Sequence, residues 1–160
     1  MNTGSGDAMG TGHAIPYHEF WQPMVDALAA RGWGTVSVPD FPVTVVKPNY
    51  WLCGMIDGHR KNVDGALGEL FAASHPLNFP NYRLLVVVFQ RVSKQEEETI
   101  RQKHLGTRME KQAVASVIQL ESGQFFPPPW TAGQGHSYPI FYPDVGHDIE
   151  NALLQVRSPH

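Results

Sequence analysis

The segment that spans residues 57–64, DGHRKNVD, holds more chemically capable side chains than any other stretch of the chain. Asp57, His59 and Asp64 could ligate a divalent metal ion, because carboxylate oxygens and imidazole nitrogens are common ligands of such ions. Arg60 and Lys61 could instead hold a phosphate, since the free N–H groups at the start of a following helix also favour anions. The segment is therefore a candidate for a metal site or a phosphate site.

Ordinary chain geometry explains the same segment without a ligand. Asp57 and Gly58 form a typical turn pair, and Asn62 is a preferred residue for capping the start of a helix. Asp64 would then lie in the first helical turn, where a carboxylate complements the helix dipole. We therefore expect this segment to turn the chain and start a helix. We expect no cofactor, with a divalent metal ion as the alternative.

The eight histidines form no recognisable metal-binding motif. His13 and His18 are five positions apart, and His136 and His147 flank a candidate strand, whereas HExxH places two imidazoles one helical turn apart. Structural zinc sites usually recruit several cysteines, and the chain has only Cys53. The sequence also contains no phosphate loop, nucleophile elbow or dinucleotide fingerprint. Whether any histidine binds a metal is left open by the sequence.

Basic residues concentrate between positions 91 and 111, which hold six of the twelve lysines and arginines. If one helix ran through this segment, four of them would lie on one side at helical spacing: Lys94, Arg101, Arg108 and Lys111. Such a stripe would suit the phosphates of a nucleic acid or an acidic protein surface. Four glutamates lie in the same segment, so the alternative is a solvated helix face with ion pairs.

The stretch FFPPPW at residues 125–130 places three aromatic rings around a proline run. A polyproline segment is stiff, so it loses little conformational entropy when it docks, and aromatic rings are favoured anchors at interfaces. Phe125, Phe126 and Trp130 are therefore candidate contacts to a macromolecular partner. The alternative is that the rings fold back and cover an edge of the sheet.

Composition bounds the class of protein. At 160 residues, with 42% hydrophobic residues, residues 13–160 are expected to form one globular domain. Residues 1–12 are rich in Gly, Ser and Thr, and we expect them to form a disordered leader. The net charge of −3 opposes wholesale binding to nucleic acid. The lone cysteine indicates a cytoplasmic protein, and no stretch approaches the ~18 apolar residues of a membrane span.

Hydrophobic spacing predicts a single α/β or α+β domain, with a mixed sheet of about five strands packed with three to four helices. RLLVVVF, residues 83–89, is a near-continuous apolar run and is predicted as the central strand, covered on both faces. AVASVIQL, residues 113–120, fits both periods, and a strand is favoured. Helices are expected at 17–31, 62–74, 94–105 and 146–156, and further strands at 35–38, 42–46 and 50–56, with QFF and PIFY as additional candidates.

The order of a helix, three strands, a helix, a strand, a helix and a strand is similar to the core of restriction-endonuclease-like nucleases. The resemblance implies a metal-dependent hydrolase in which Asp40, Asp57 and Lys61 act in catalysis, while Asp40, Asp57 and His59 bind a divalent metal ion. The chain departs from that group because no strand here carries an acid, any residue and then a lysine. In those nucleases the triplet holds the metal beside the lysine that assists the attacking water.

The sequence therefore supports two functional hypotheses of different classes. The leading one is a non-catalytic binding or assembly protein, whose aromatic, proline-rich loop and basic segment engage a protein partner, a second copy of the chain or a nucleic acid. The alternative is the metal-dependent hydrolase. The residues do not decide whether the protein is an enzyme.

Overall fold

Three parallel strands form the middle of a mixed sheet. The computed structural model describes residues 17–47, 51–73, 82–109 and 111–157. Its strands are β1 (Gly34–Thr35), β2 (Val43–Lys47), β3 (Trp51–Asp57), β4 (Tyr82–Phe89), β5 (His104–Gly106), β6 (Gln112–Gln119) and β7 (Gln124–Phe126). They pair in the order β1-β2-β3-β4-β6-β5, and β7 also pairs with β6.

The strand directions create two chemically different edges. β1, β2 and β3 form an antiparallel meander, whereas β3, β4 and β6 run parallel. The register aligns Trp51 with Tyr82, and Tyr82 with Gln112, so the starts of the three parallel strands lie together. We call this side the amino-terminal edge. The carboxyl-terminal edge lies at the other ends of the same strands, where Asp57 and Phe89 stand.

Within the described ranges, four α-helices cover the sheet. They are α1 (Trp21–Ala29), α2 (Val63–Ala72), α3 (Lys94–Arg101) and α4 (Pro143–Arg157). One apolar cluster joins α1 and α4 to one face of the sheet, and a second joins α2 and α3 to the other. The chain is thus a single α+β domain, as the sequence predicts, and three very short strands, β1, β5 and β7, bring the sheet to seven.

β4 confirms the prediction of a central strand. Every residue after Tyr82 in this strand is buried, because helices lie on both faces and strands pair on both sides. β6 confirms the strand interpretation of the ambiguous segment, and all but its last residue are buried. A strand buried on both faces does not alternate between polar and apolar residues, which is why its periodicity was ambiguous.

The predicted helix starts are confirmed at two positions. Asn62 Oδ1 accepts a hydrogen bond from Gly65 N at 2.8 Å, and Ser93 Oγ accepts one from Glu96 N at 3.1 Å. At the first helix, residues 17–19 form a 3-10 turn and α1 itself begins at Trp21. Gly32, which follows the predicted helix 17–31, has a φ of +93°, a conformation that costs glycine little.

Two predicted strands differ from the structure. The segment 35–38 contributes only its first residue to β1. Beyond β1, one backbone hydrogen bond, from Val36 N to Thr44 O at 3.1 Å, still joins the segment to β2. Pro39 has no N–H with which to extend the pairing further. The segment 139–142 is not a strand. The predicted leader, residues 1–12, lies outside the described residues.

A buried arginine interrupts the apolar run of β4. Arg83 is 6% exposed, and its Nη1 donates to the backbone oxygens of Leu70 at 2.8 Å and Phe71 at 2.5 Å. These oxygens lie in the last turn of α2, where helix carbonyls lack partners within the helix and the dipole favours a cation. Burial lowers the pKa of Arg83, but a guanidinium retains its proton in proteins. Arg83 therefore joins α2 to the sheet.

We expect Arg83→Met to lower the free energy of unfolding by about 2–4 kcal/mol, because the variant removes the charged donor of Phe71 O and leaves Leu70 O with only the longer bond of 3.3 Å from Ala73 N. Urea unfolding followed by circular dichroism measures the change. Lys94→Met, at an exposed position of α3, is the matched control and should shift the midpoint little. Equal midpoints for the two variants would contradict the role assigned to Arg83.

Cys53 lies inside β3 with none of its surface exposed, and burial raises the pKa of its thiol to about 12. The unfolded chain should ionise at an ordinary thiol pKa, so above about 8.5 it loses a proton that the native state keeps. We expect this group to reduce the free energy of unfolding as the pH rises from about 8.5 towards 12, and we expect Cys53→Ala to show a shallower decline of that free energy.

A disulfide reagent should label the native thiol of Cys53 about 10³-fold more slowly than the unfolded one. Comparable rates would contradict the burial of this thiol.

Candidate functional site at the amino-terminal edge

At the carboxyl-terminal edge, Asp57 acts as a turn residue. Its Oδ1 accepts a hydrogen bond from His59 N at 2.9 Å, and its Oδ2 lies 3.6 Å from Arg60 Nε. Tyr17 reaches the same carboxylate, and burial, followed by the hydrogen bond to Asp57, raises the pKa of this phenol. A Cβ on Gly58 would lie 2.6 Å from the Phe89 ring. The geometry therefore supports the structural interpretation of residues 57–64.

Lys61 lies on the other face of the sheet from Asp57. Its Nζ is 3.1 Å from Glu69 Oε1 and 5.9 Å from the centroid of Phe41, which packs in the cluster under α2. Asp57 instead contacts Tyr17, which packs against the cluster under α1. Asp57 and Lys61 therefore contact different elements, Asp57 on the side of α1 and Lys61 on the side of α2, so these contacts give no support to a catalytic pocket that both would share.

The other predicted metal ligands have separate environments. Asp40 is exposed in a turn with a φ of 71°. The His59 ring packs edge-on against Phe89 with centroids 5.1 Å apart, and its Nε2 accepts a long hydrogen bond of 3.4 Å from Gln90 N. Within the ranges that the structure describes, no group of three or more His, Cys, Asp and Glu residues could hold a metal ion.

The predicted basic stripe does not form. α3 ends at Arg101, and the chain enters β5 at His104, so Arg108 and Lys111 lie beyond the helix. Gly106 has a φ of +72° and approaches the Lys111 backbone so closely that a Cβ would overlap it. This turn sends the chain back along β6, where β5 pairs with the first half of the strand. A helix continuing past this turn is therefore excluded.

Two of the basic side chains have structural contacts. Arg101 donates to Glu97 Oε2 at 2.8 Å and to the backbone oxygen of Pro127 at 2.6 Å. Lys111 Nζ lies 4.6 Å from the centroid of Phe71, and burial lowers its pKa. Lys94 remains exposed on α3. Arg101 thus fastens the proline-rich loop to α3.

The aromatic rings of FFPPPW mostly cover the sheet. Phe125 and Trp130 are each 8% exposed and belong to the core cluster, while Phe126 is half-buried against the opposite cluster. Arg101 holds the loop at Pro127, and Phe141 N donates to Trp130 O at 3.1 Å. The expectation that Phe125 and Trp130 are exposed anchors is therefore wrong, and these two rings form a cover.

Three exposed apolar side chains do lie near this loop and the adjoining turn. Tyr138 stacks on Trp130, with centroids 5.9 Å apart and planes inclined by 19°, and its backbone oxygen lies 3.4 Å from Arg108 N. Leu105 and Met109 belong to the adjoining strand β5 and the turn after it. The exposed fractions are 36% for Leu105, 64% for Met109 and 47% for Tyr138. We refer to these three residues as the apolar patch.

The edge continues from the apolar patch to two further tyrosines. The rings of Tyr82 and Tyr142 meet edge to face with centroids 5.7 Å apart, and burial, followed by the interaction with the Tyr142 hydroxyl, raises the pKa of Tyr82. Arg108, beside Tyr138, acts on Tyr82 in the opposite direction. Phenols and a guanidinium therefore border the apolar patch on this side.

A buried amide holds the segment that carries Tyr142. Gln112, the first residue of β6, donates from Nε2 to Ile140 O at 2.6 Å and accepts from Ile140 N at 2.9 Å through Oε1. Gln112 is fully buried. Because one side chain satisfies both backbone groups, residues 139–142 are held across the sheet edge without becoming a strand. We refer to this pair of hydrogen bonds as the Gln112 clamp.

A cavity of about 330 Å³ opens at the same edge. On one side Lys47 Nζ lies 2.7 Å from Asp148 Oδ2, which also accepts from Trp33 Nε1 at 2.9 Å. The cavity is lined by Lys47, Trp51, Tyr142, Pro143, Asp144 and Val145. The cavity lies beside the starts of the parallel strands. The segment that starts at Asp57, which the sequence makes a candidate for chemistry, lies at the carboxyl-terminal edge instead.

We expect Gln112→Leu to lower the free energy of unfolding by about 2–4 kcal/mol, because it leaves the N–H and C=O of Ile140 without partners in a buried place. Urea unfolding measures the loss, and Gln124→Leu, on an exposed position of β7, is the matched control. Near-ultraviolet circular dichroism below the transition should also change in Gln112→Leu, since Tyr142 packs on Trp51. An unchanged spectrum and midpoint would contradict the clamp.

Comparison with known protein families, with curated proteins and with solved structures gives no significant match to this chain. None of the helices in the described ranges is long and apolar enough to cross a membrane. The geometry at the two edges of the sheet therefore carries the functional argument.

Proposed function

We propose that the protein is a non-catalytic binding or assembly protein that engages a protein partner through the apolar patch. The observation that carries the proposal is the exposure of three large apolar side chains, those of Leu105, Met109 and Tyr138, near the turn from β5 to β6, where Tyr138 O lies 3.4 Å from Arg108 N. Large apolar side chains that share an exposed surface are typical of interaction sites, whereas singly scattered ones are ordinary. The proline-rich loop still contributes to the surface, but through Tyr138.

The chemistry of the three side chains suits recognition of a protein. Tyr138 offers a ring and a hydroxyl at a low cost in side-chain entropy, and Trp130 supports it from below. Met109 is unbranched and polarizable, so it can adapt to an irregular partner surface. Together they combine a stiff aromatic contact with an adaptable apolar one.

Charge near the apolar patch favours a partner with acidic residues at its rim. Arg108 lies within the patch, and the half-buried Lys111 lies across the turn that closes at Gly106. Lys103 and Arg101 are already paired, with Asp64 at 3.0 Å and Glu97 at 2.8 Å. With a net charge of −3 for the whole chain, a partner protein is better supported than a nucleic acid.

The free, buried thiol of Cys53 suits a cytoplasmic setting.

The test replaces Leu105, Met109 and Tyr138 together by serine. We expect the variant to keep its free energy of unfolding within about 1 kcal/mol of that of the unmodified protein, since the side chains are exposed. We also expect it to lose at least about tenfold in affinity for the partner. Sedimentation at increasing concentration measures self-association, and cross-linking in the native cell extract followed by purification measures stoichiometric capture of another protein.

Leu154→Ser is the matched control, because Leu154 is 59% exposed on α4, away from the apolar patch. Loss of binding in both variants, or in neither, would contradict the proposal. Binding to DNA or RNA at low salt that Arg108→Glu abolishes and the serine variant retains would assign the surface to nucleic acid instead.

A further inference from the structure

Three short strands form the outer edges of the sheet, and they differ in how each edge is closed. β7 runs directly into three prolines, residues 127–129, and Pro39 stops the extension of β1. Proline has no N–H, so it opposes the pairing of another strand. The chain around β5, residues 98–112, contains no proline. Within the described ranges β5 pairs with β6 and with no other strand, so its outer edge is open to a further strand.

Leu105, the middle residue of β5, marks the face on which an added strand would be recognised. It pairs with Ala113 of β6, which packs in the apolar cluster under α2 and α3. The side chains of paired residues lie on the same face of a sheet, so Leu105 lies on the α2 side at the border of the sheet. Leu105 is 36% exposed. An apolar side chain from an added strand would cover it at this position.

Two lysines flank Leu105 on that same face. Lys103, immediately before β5, reaches the first turn of α2. Lys111 Nζ lies 4.6 Å from the centroid of Phe71 near the end of α2. A Cβ on Gly106, the last residue of β5, would lie 3.0 Å from the same Phe71 ring. The two ammonium groups therefore lie near opposite ends of β5, with Leu105 between them.

Lys111 is the lysine of this pair without a counter-charge. Within the described part of the chain no carboxylate pairs with it, whereas Lys103 is paired with Asp64 at 3.0 Å. Burial, followed by the nearby charge of Arg83, lowers the pKa of Lys111. A carboxylate from a partner would offset both effects, because an opposite charge favours the charged form. Lys103 contributes as well, since an ammonium group has three donors.

The local charge favours an acidic partner over a second copy of the chain. Residues 103–111 contain three cations, Lys103, Arg108 and Lys111, and one acid, Glu110. Like charges that face each other across paired strands are destabilising, and two copies of β5 would bring these cations together. The edge therefore fits an acidic strand from another protein.

We propose that a partner protein adds an extended, acidic segment to the outer edge of β5, with the pattern acid, any residue, apolar residue, any residue, acid. Alternate residues of a strand lie on one face, so the apolar residue pairs with Leu105 while the acids meet Lys103 and Lys111. Backbone hydrogen bonds supply affinity and side chains supply specificity. The pattern is symmetric, so it suits either strand direction. The inference rests on the proposed function and names the form that the partner takes.

The experiment titrates synthetic peptides into the ¹⁵N-labelled full chain and follows the backbone amides of residues 103–107 by NMR. The probe is the peptide TETLTET, acetylated and amidated at its ends. TTELETT has the same composition but places its acids on the opposite face from the leucine, and TKTLTKT reverses the charges. We expect TETLTET to shift these amides in a saturable manner and to bind at least about tenfold more tightly than either control.

N-methylated peptides test the backbone hydrogen bonds. The N–H groups of successive residues in a strand point to opposite edges. One version of TETLTET carries a methyl group on the amide of the leucine, and a second carries it on the amide of the threonine before the leucine. We expect one methyl group to abolish binding and the other to change the affinity by less than about twofold, because only one of the two amides faces β5.

Variants locate the binding. Lys111→Glu should weaken TETLTET about tenfold, while Lys94→Glu, at an exposed position of α3, should leave the affinity unchanged. The double variant Met109→Ser and Tyr138→Ser should bind TETLTET normally, since neither residue belongs to β5. Peptide binding is thus measured separately from partner capture by the apolar patch, so either can fail without the other. The titration of the unmodified protein decides the matter even if Lys111→Glu fails to fold.

Three results of the titrations would each overturn the proposal: no saturable shift at residues 103–107, equal affinities for TETLTET and TTELETT, or equal effects of the two methyl groups. A dimer in sedimentation that Leu105→Lys dissociates would also overturn it, because the edge would then belong to a second copy of the chain.

Discussion

The parallel alignment of β3, β4 and β6 determines where polar chemistry can occur in this molecule. Helices cover both faces of these strands, so their side chains are buried almost without exception. Apart from Ser116, which is buried in the middle of β6 and donates its hydroxyl to Leu85 O at 3.0 Å, polar residues therefore lie mainly at the strand ends, in the loops or on the outer faces of the helices. The two ends of the parallel strands are the places where side chains from distant parts of the chain meet.

These two edges differ in how far their polar groups are satisfied. At the carboxyl-terminal edge, Asp57, His59 and Tyr17 have hydrogen-bond partners or ring contacts that close the turn. Near the amino-terminal edge, β5 pairs with a single strand within the described ranges, Lys111 meets no carboxylate there, and Tyr138 is exposed. Satisfied groups stabilise a fold, whereas groups left without partners indicate where another molecule can bind.

The sequence predicted an element correctly where the spacing of apolar residues within one segment reflects how that segment is buried. Helical spacing identified α2 and its Asn62 cap, and the apolar run of β4 identified the centre of the sheet. β5 was missed because three residues show no periodicity. The basic stripe was wrong because it required a helix through Gly106, where the chain turns. Arg83 was not recognised, since its partners are backbone oxygens of another helix and sequence spacing carries no trace of them.

The candidate site was harder to predict than the fold, because its residues come together from distant parts of the sequence. Lys47, Trp51 and Tyr142 are far apart in sequence, and only the register of the strands and the Gln112 clamp bring them to one edge. DGHRKNVD attracted attention because its polar residues are consecutive, yet consecutive residues at a turn usually serve the turn. The rings of FFPPPW could not be assigned an exposed or a buried position, because the contacts of Arg101 and Phe141 with the loop decide it.

The Gln112 clamp has a consequence for motion. Its side chain belongs to a central strand, whose backbone opens only when the sheet itself unfolds, and Ile140 N donates to that side chain. The amide of Ile140 is thus placed in the slowest-exchanging class of protons, although it lies in irregular chain beside a surface tyrosine. The segment that carries Tyr142 is consequently held in one position, and its release requires the cooperative opening of the sheet rather than a local loop fluctuation.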